Sequence, residues 1–231
     1  SEMCIRDRDA AALGIDGSGH HIVLVVADGV SSTEGAEECA RVASHTARDY
    51  LTATMDQGLP INDDDTVTLF ERTFQKTHEA VVSGSGPIGA CTLAVAVATH
   101  DRIVVGNIGD TRTYWFPDDG DPIRLSIDDS MAQAQMDLGL SREEAERGMG
   151  AHAITKWIGA SATDVAPRVM AINLSNLDGI GVQRRIVEHV PDAGDLARLM
   201  ADLVSKAHTD DHGHASPAGV ALSLIHISEP T

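Results

Sequence analysis

Short aliphatic runs that stop abruptly at acidic and glycine residues constrain this chain most. Ile22-Val23-Leu24-Val25-Val26-Ala27 ends at Asp28-Gly29, and Ile103-Val104-Val105-Gly106-Asn107-Ile108 ends at Gly109-Asp110. Brief, β-branched, continuously apolar runs read as buried strands. Each delivers a carboxylate at the rigid end of a strand. The adjoining glycine lets the backbone turn and approach a ligand closely. One Asp-Gly marks a plain turn as readily as a site. Here the pattern recurs, with a third candidate at Asp178-Gly179.

A chain of 231 residues suits one large domain or two small ones. With 42% hydrophobic and 23% charged residues it reads as globular. Aromatics are 3%, so the core must be aliphatic. No apolar run approaches the ~18 residues that span a bilayer. The formal charge of −18 argues against nucleic-acid binding, which needs a basic face. It is compatible with a divalent-cation enzyme, although a solvated acidic surface accounts for most of the carboxylates. Cys4, Cys39 and Cys91 are odd in number and widely spaced, which suggests neither a disulfide framework nor a zinc site. Their usage points to the cytoplasm.

Beyond the first run, Ser31 and Glu34 have capping-box spacing, and Cys39, Ala43, Ala47 and Tyr50/Leu51 follow at helical spacing. The pattern predicts a helix over 34–52. Val67, Phe70, Phe74, Thr77 and Val81 predict the apolar face of a second helix. A β-meander is expected over 90–98, 102–108, 111–116 and 123–126. Short helices are predicted at 129–138 and 141–148, a strand at 165–175 and an amphipathic helix at 193–207. Without regular βαβ alternation, this order indicates an α+β layered sandwich rather than a doubly wound sheet. His208, His212 and His214 cluster with Asp210 and Asp211. Their spacing fits a solvated loop better than a zinc or nickel site.

Both ends have a foreign character. Residues 1–8 and 222–231 resemble translated sequencing-adaptor sequence, so the expected native domain is a single unit over 9–221, incomplete at its N-terminus.

Val26-Ala27-Asp28-Gly29-Val30 resembles the first Asp-Gly motif of the metal-dependent protein phosphatases, the PPM or type 2C family, of bacterial type. Gly89-Ala90-Cys91-Thr92-Leu93 resembles that family's Gly-x-Thr strand opening. Val105-Gly106-Asn107-Ile108-Gly109-Asp110-Thr111-Arg112 resembles its Gly-Asp-Ser-Arg motif, the most specific of these matches. His152-Ala153-Ile154-Thr155-Lys156-Trp157-Ile158-Gly159 is similar to the segment that closes its flap region. The resemblance implies a four-layer αββα sandwich of two mainly antiparallel sheets flanked by helices. It implies hydrolysis of phosphoserine and phosphothreonine in phosphorylated proteins by a metal-activated water, with two Mn²⁺ or Mg²⁺ ions and possible room for a third. Asp28 would bridge the metals and take the central catalytic role, and the Gly29 carbonyl would complete one shell. Asp9 matches the end of an acidic pair in the first strand. Asp110 would lie near a third metal or order its own turn, and Asp178 would be a metal ligand or a turn residue. A monomer acting on phosphoproteins, without nucleic acid or membrane, is expected.

The chain also departs from the family pattern. Arg8 stands where an acidic or amide residue is expected, so the phosphate-binding arginine is missing from this sequence, and neither Arg6 nor Arg8 is credited with its role. Val30 replaces a histidine proposed as general acid in eukaryotic relatives. Gly213-His214 is followed by Ala215, which cannot ligate a metal. Weak or absent turnover by this chain is therefore expected. The alternative is a catalytically impaired relative that binds phosphoproteins or partners.

Overall fold

The computed structural model describes residues 8–58, 63–84, 89–99, 102–115, 123–173 and 220–223. Strands β1 (Asp9–Ile15) and β2 (Ile22–Asp28) form an antiparallel hairpin. Helices α1 (Ala36–Met55) and α2 (Asp63–Val82) follow. Next come β3 (Ala90–Cys91), β4 (Leu93–Ala98), β5 (Arg102–Ile108), β6 (Arg112–Trp115) and β7 (Ile123–Arg124). The short helices α3 (Met131–Asp137) and α4 (Arg142–Glu146) precede β8 (Ile158–Gly159), β9 (Arg168–Asn173) and β10 (Val220–Ser223).

The main sheet has the order β1-β2-β4-β5-β9, with every neighbouring pair antiparallel. A second sheet runs β10-β6-β7, and β3 pairs with β8. Alternate residues of the central strands face opposite ways. Val23, Val25, Ala27, Val95, Val97 and Val104 join one core with the α1 alanines and with Phe70 and Phe74 of α2. Leu24, Ala96, Ile103 and Val105 face the other way and pack with Leu125, just beyond β7. Burial on both faces is why these strands carry no polar alternation. Strands β6 and β10 lie over β4 of the main sheet, and β10 also reaches β2. The layers are thus a helix pair, the main sheet and the smaller sheet. The predicted helix over 193–207, a candidate for the outer helical layer, lies outside the described residues.

Local differences from the sequence reading have identifiable causes. The expected capping box at Ser31 and Glu34 does not start α1, whose N-cap is Gly35 with no side-chain cap. The chain past Gly29 instead stays tied to the next strand, with the Val30 N–H donating to the Ala90 carbonyl at 2.8 Å. Thr33 fixes this segment by donating to the Val30 carbonyl and accepting from the Ala90 N–H. Val67 is exposed rather than buried, because the buried stripe of α2 runs through Thr66, Phe70, Thr73, Phe74, Thr77 and Val81. Threonine can serve there because Thr73 and Thr77 donate to carbonyls four residues back, each at 2.8 Å. The expected strand over 90–98 is broken at Thr92, and the expected meander splits, with β6 turning away into the second sheet. The predicted capping box at Ser141 and Glu144 is present. Strand β10 crosses the expected boundary at Ala221, pairing Leu222 with Thr113 and Ser223 with Arg112.

Candidate functional site

Asp28 is the last residue of β2 and Asp9 the first of β1, and the register sets them directly opposite each other. Opposed residues project on the same sheet face with Cβ atoms about 4.5–5.5 Å apart. Ala27 faces the helices, so strand alternation turns this pair to the opposite face. Two carboxylates placed in this way repel one another, and a shared cation removes the repulsion.

Gly29 follows at a crowded point. A Cβ there would lie 2.6 Å from the Arg8 carbonyl oxygen and 2.9 Å from that of Ala36, so a side chain would force backbone apart. Beside it, Thr92 joins the two Asp-Gly segments. Its N–H donates to the Asp28 carbonyl at 2.8 Å, and its hydroxyl accepts from the Asp28 N–H at 3.2 Å. The same hydroxyl pairs with that of Thr111 at 2.5 Å. Gly109 lies against Thr92 so closely that a Cβ would come within 2.6 Å of the threonine methyl, and its φ of 93° lies in the left-handed region. The break in the strand at Thr92 is therefore where Asp28 and the Gly109–Thr111 turn are tied together.

Asp110 projects from that turn. Burial, followed by the charges of Asp28 and Asp128, pushes its carboxyl above the ordinary value, against the opposing pull of its own backbone N–H and Arg112. Electrostatics thus links Asp28 to Asp110, as the register links Asp28 to Asp9. Behind the site, the Cys39 and Cys91 thiols are buried and lie 3.3 Å apart, both as free cysteines. Their mutual hydrogen bond, then burial, push the Cys91 thiol up, with the charge of Asp28 adding to the effect.

Two acidic residues that the sequence reading did not single out support the turn. Asp128 binds the Arg112 guanidinium through both carboxylate oxygens, and Asp129 accepts from the Gly109 N–H at 3.2 Å and from Arg168 Nε at 2.9 Å. The sequence signal was an Asp128-Asp129-Ser130 run at the start of the helix expected over 129–138, which reads naturally as a cap. Ser130 is that cap, accepting from the Gln133 N–H.

Asp9, Asp28, Gly29 and Asp110 are thus brought to one end of the main sheet. Asp178 lies outside the described residues, as do the His208, His212 and His214 cluster, Asp210, Asp211 and Ala215. Among the described residues, no group of three or more histidine, cysteine or acidic side chains closes into metal-binding geometry. The opposed Asp9–Asp28 pair nonetheless fits a hard divalent cation, because its donors are anionic carboxylate oxygens. Arg8 donates to the Ser31 carbonyl at 2.7 Å and lines a surface groove with Glu34, Glu37 and Glu38. That acidic setting does not suit a phosphate cradle.

A sequence model of the family described as Protein phosphatase 2C matches residues 5–202. No curated protein sequence matches. Among solved structures, a bacterial serine phosphatase superposes with a TM-score of 0.61 at 16% identity, over 89% of this chain and 88% of that one. A serine/threonine phosphatase from Staphylococcus aureus gives 0.59 at 17% identity, covering 89% and 86%. The Mycobacterium tuberculosis serine/threonine phosphatase PstP/Ppp gives 0.54 at 20%, covering 74% and 69%. At these identities the structural likeness speaks for the fold alone.

Proposed function

The chain belongs to the protein phosphatase 2C family, whose reaction is metal-dependent protein dephosphorylation, and on that premise we propose which of its residues serve the reaction. Asp28 and Asp9 would hold divalent cations, with the Gly29 carbonyl as a neutral oxygen donor. Asp110 borders this cluster, and Asp178, outside the described residues, is the further candidate donor. The ions are Mn²⁺ or Mg²⁺, two in number. Bound cations of this kind neutralise phosphoryl charge and lower the pKa of water enough to make it nucleophilic near neutral pH. The protein's own contribution is placement. The strand register sets the carboxylate spacing, Thr92 holds Asp28 against the Gly109–Thr111 turn, and no protein nucleophile is required.

The observation that carries this reading is the Asp9–Asp28 register, which places two acidic side chains face to face at a sheet end. A single experiment tests it. Hydrolysis of a phosphothreonine peptide is measured with Mn²⁺, with EDTA, and in Asp28→Ala. Slow Mn²⁺-dependent turnover that vanishes in both controls is expected. Turnover by Asp28→Ala equal to the parent chain refutes the assignment. The sequence at Ala215 favours one other reading, a phosphoprotein-binding relative. Phosphopeptide binding without any turnover would select it.

A further inference from the structure

We propose that Asp129, held by Arg168, is a positioning residue for the Asp110 carboxylate. This rests on the reading of Asp110 as part of the phosphatase site and deepens it. Gly109 and Asp129 bracket one another. The Asp129 carboxylate accepts from the Gly109 N–H at 3.2 Å, and the Asp129 N–H donates to the Gly109 carbonyl at 2.8 Å. Both peptide groups flanking the Gly109 Cα are therefore held by one residue, the first through its N–H and the second through its carbonyl. Asp129 itself has little freedom. Its side chain is 1% exposed, its other oxygen accepts from Arg168 Nε at 2.9 Å, and its carbonyl accepts from the Thr155 N–H at 2.8 Å.

Arg168 is placed for this task by the sheet. It is paired across β9 and β5 with Asn107, two residues before Gly109. Asn107 is buried and donates from its amide to the Ile127 carbonyl at 2.8 Å, which brings the segment carrying Asp128 and Asp129 against the end of β5. The neighbouring Asp128 completes the arrangement by gripping Arg112. Asp110 thus sits between two anchored positions, Gly109 held by Asp129 and Arg112 held by Asp128.

Asp129 cannot touch substrate through this geometry, since both its oxygens are already committed inside the protein. Its effect must pass through the Gly109 peptide. Gly109 occupies the left-handed region with Thr92 pressed against it, so its peptide has few alternative orientations while the clamp holds. Releasing the N–H allows the turn to rotate and carries Asp110 with it. An asparagine at 129 retains the shape but offers only one carbonyl oxygen, so it cannot accept from both Gly109 and Arg168.

The test uses the full chain as Asp129→Asn, Arg168→Gln and Arg168→Lys. Leu125→Ala serves as a control that lowers stability through the core between the sheets. Amide hydrogen exchange at Gly109–Thr111 is read without metal, and Mn²⁺ affinity is read by titration calorimetry. Loss of a charge-assisted hydrogen bond predicts exchange about tenfold faster in Asp129→Asn, with Mn²⁺ affinity about tenfold weaker. Arg168→Gln, on a half-exposed residue, should show a smaller change in the same direction, and Arg168→Lys should recover part of it. Unchanged exchange in both Asp129→Asn and Arg168→Gln overturns the proposal. So does an equal change in Leu125→Ala, which would make the effect one of general stability. Faster exchange with unchanged Mn²⁺ affinity overturns it as well. If the parent chain binds no Mn²⁺, the metal assignment fails separately, and exchange alone decides whether the clamp positions Asp110.

Discussion

Replacing Asp28 by asparagine should stabilise the metal-free protein and abolish its stabilisation by Mn²⁺. The substitution keeps side-chain shape. It also leaves the two hydrogen bonds to Thr92 intact, because these use the Asp28 backbone N–H and carbonyl. The charge it removes lies opposite Asp9 across the register and helps to raise the Asp110 carboxyl, so repulsion toward both is relieved. Unit charges about 5 Å apart repel by roughly 3 kcal/mol at an effective dielectric of 20 and by under about 1 kcal/mol in bulk water. This partly exposed pair lies between those limits, so relief of about 1–2 kcal/mol is expected. In a domain of this size that raises Tm by about 2–8 °C. Mn²⁺ at a hundred times its dissociation constant stabilises the parent chain by about 2.7 kcal/mol, or roughly 5–10 °C. The order of the two proteins should therefore cross: Asp28→Asn melts higher in EDTA and lower in Mn²⁺. Differential scanning calorimetry in the two buffers reads this directly. Asp9→Asn should give similar relief in EDTA, and the double variant little more, since one repulsion can be removed only once. A metal-free Asp28→Asn that melts lower than the parent, or one that keeps the full Mn²⁺ shift, refutes the opposed-carboxylate reasoning.

Thr92→Val should cost about 1–3 kcal/mol by urea denaturation, because it leaves the Asp28 N–H and the Thr111 hydroxyl without their shared partner. Thr92→Ser keeps the hydroxyl and should recover most of that loss; equal losses in both would place the effect in methyl packing instead. A third prediction concerns Asp16, buried in the β1–β2 turn, where it accepts from Ser18, from both His20 and His21 N–H groups and contacts His21 Nδ1. Burial alone would raise its pKa, but the hydrogen bonds from Ser18 and His21 together hold it well below the usual carboxylate range. With a folded pKa below the unfolded one, its contribution is fully present above about pH 4 and is lost as pH falls further. Asp16→Asn should cost about 2–3 kcal/mol at pH 7 and progressively less below about pH 4; a pH-independent difference in denaturation midpoint would contradict this linkage.

The central strands were legible because their burial on both faces leaves a local mark, an uninterrupted aliphatic run. The helices were legible for a similar reason, through apolar spacing, although Val67 shows that spacing alone does not choose between a valine and a neighbouring threonine. Thr73 and Thr77 pack inside because a helical threonine can return its hydroxyl to the backbone. The Asp28-Gly29 and Gly109-Asp110 steps were visible as strand endings. Their relation to each other was not, because it depends on Thr92 meeting Thr111 and on Asp9 meeting Asp28 across a register that no short window contains. Asp129 was hidden for the same reason. Its partners are Gly109 and Arg168, one at the end of β5 and the other on a strand added later to the sheet edge.

The acidic character of the chain and the acidity of the candidate site are therefore different physical facts. Glu38, Glu79 and Glu143 are exposed and paired with nearby arginine or lysine on their own helices, or at its end, where such pairs contribute little and salt screens them. Asp128 and Asp129 are buried; Asp128 is paired with Arg112 of β6 and Arg124 of β7, and Asp129 with Arg168 of β9. Removing Arg168 takes the arginine from a buried charge, a much larger cost than losing a surface pair. Asp9, Asp28 and Asp110 form a third class. Backbone register sets Asp9 opposite Asp28, and a threonine bridge ties Asp28 to the turn that carries Asp110, whose carboxyl the Asp28 charge helps to raise. A fold that sets arginines against the supporting aspartates, while bringing further carboxylates together just beyond them, concentrates negative charge at one sheet end. That concentration, rather than the net charge of −18, is the feature that suits divalent cations.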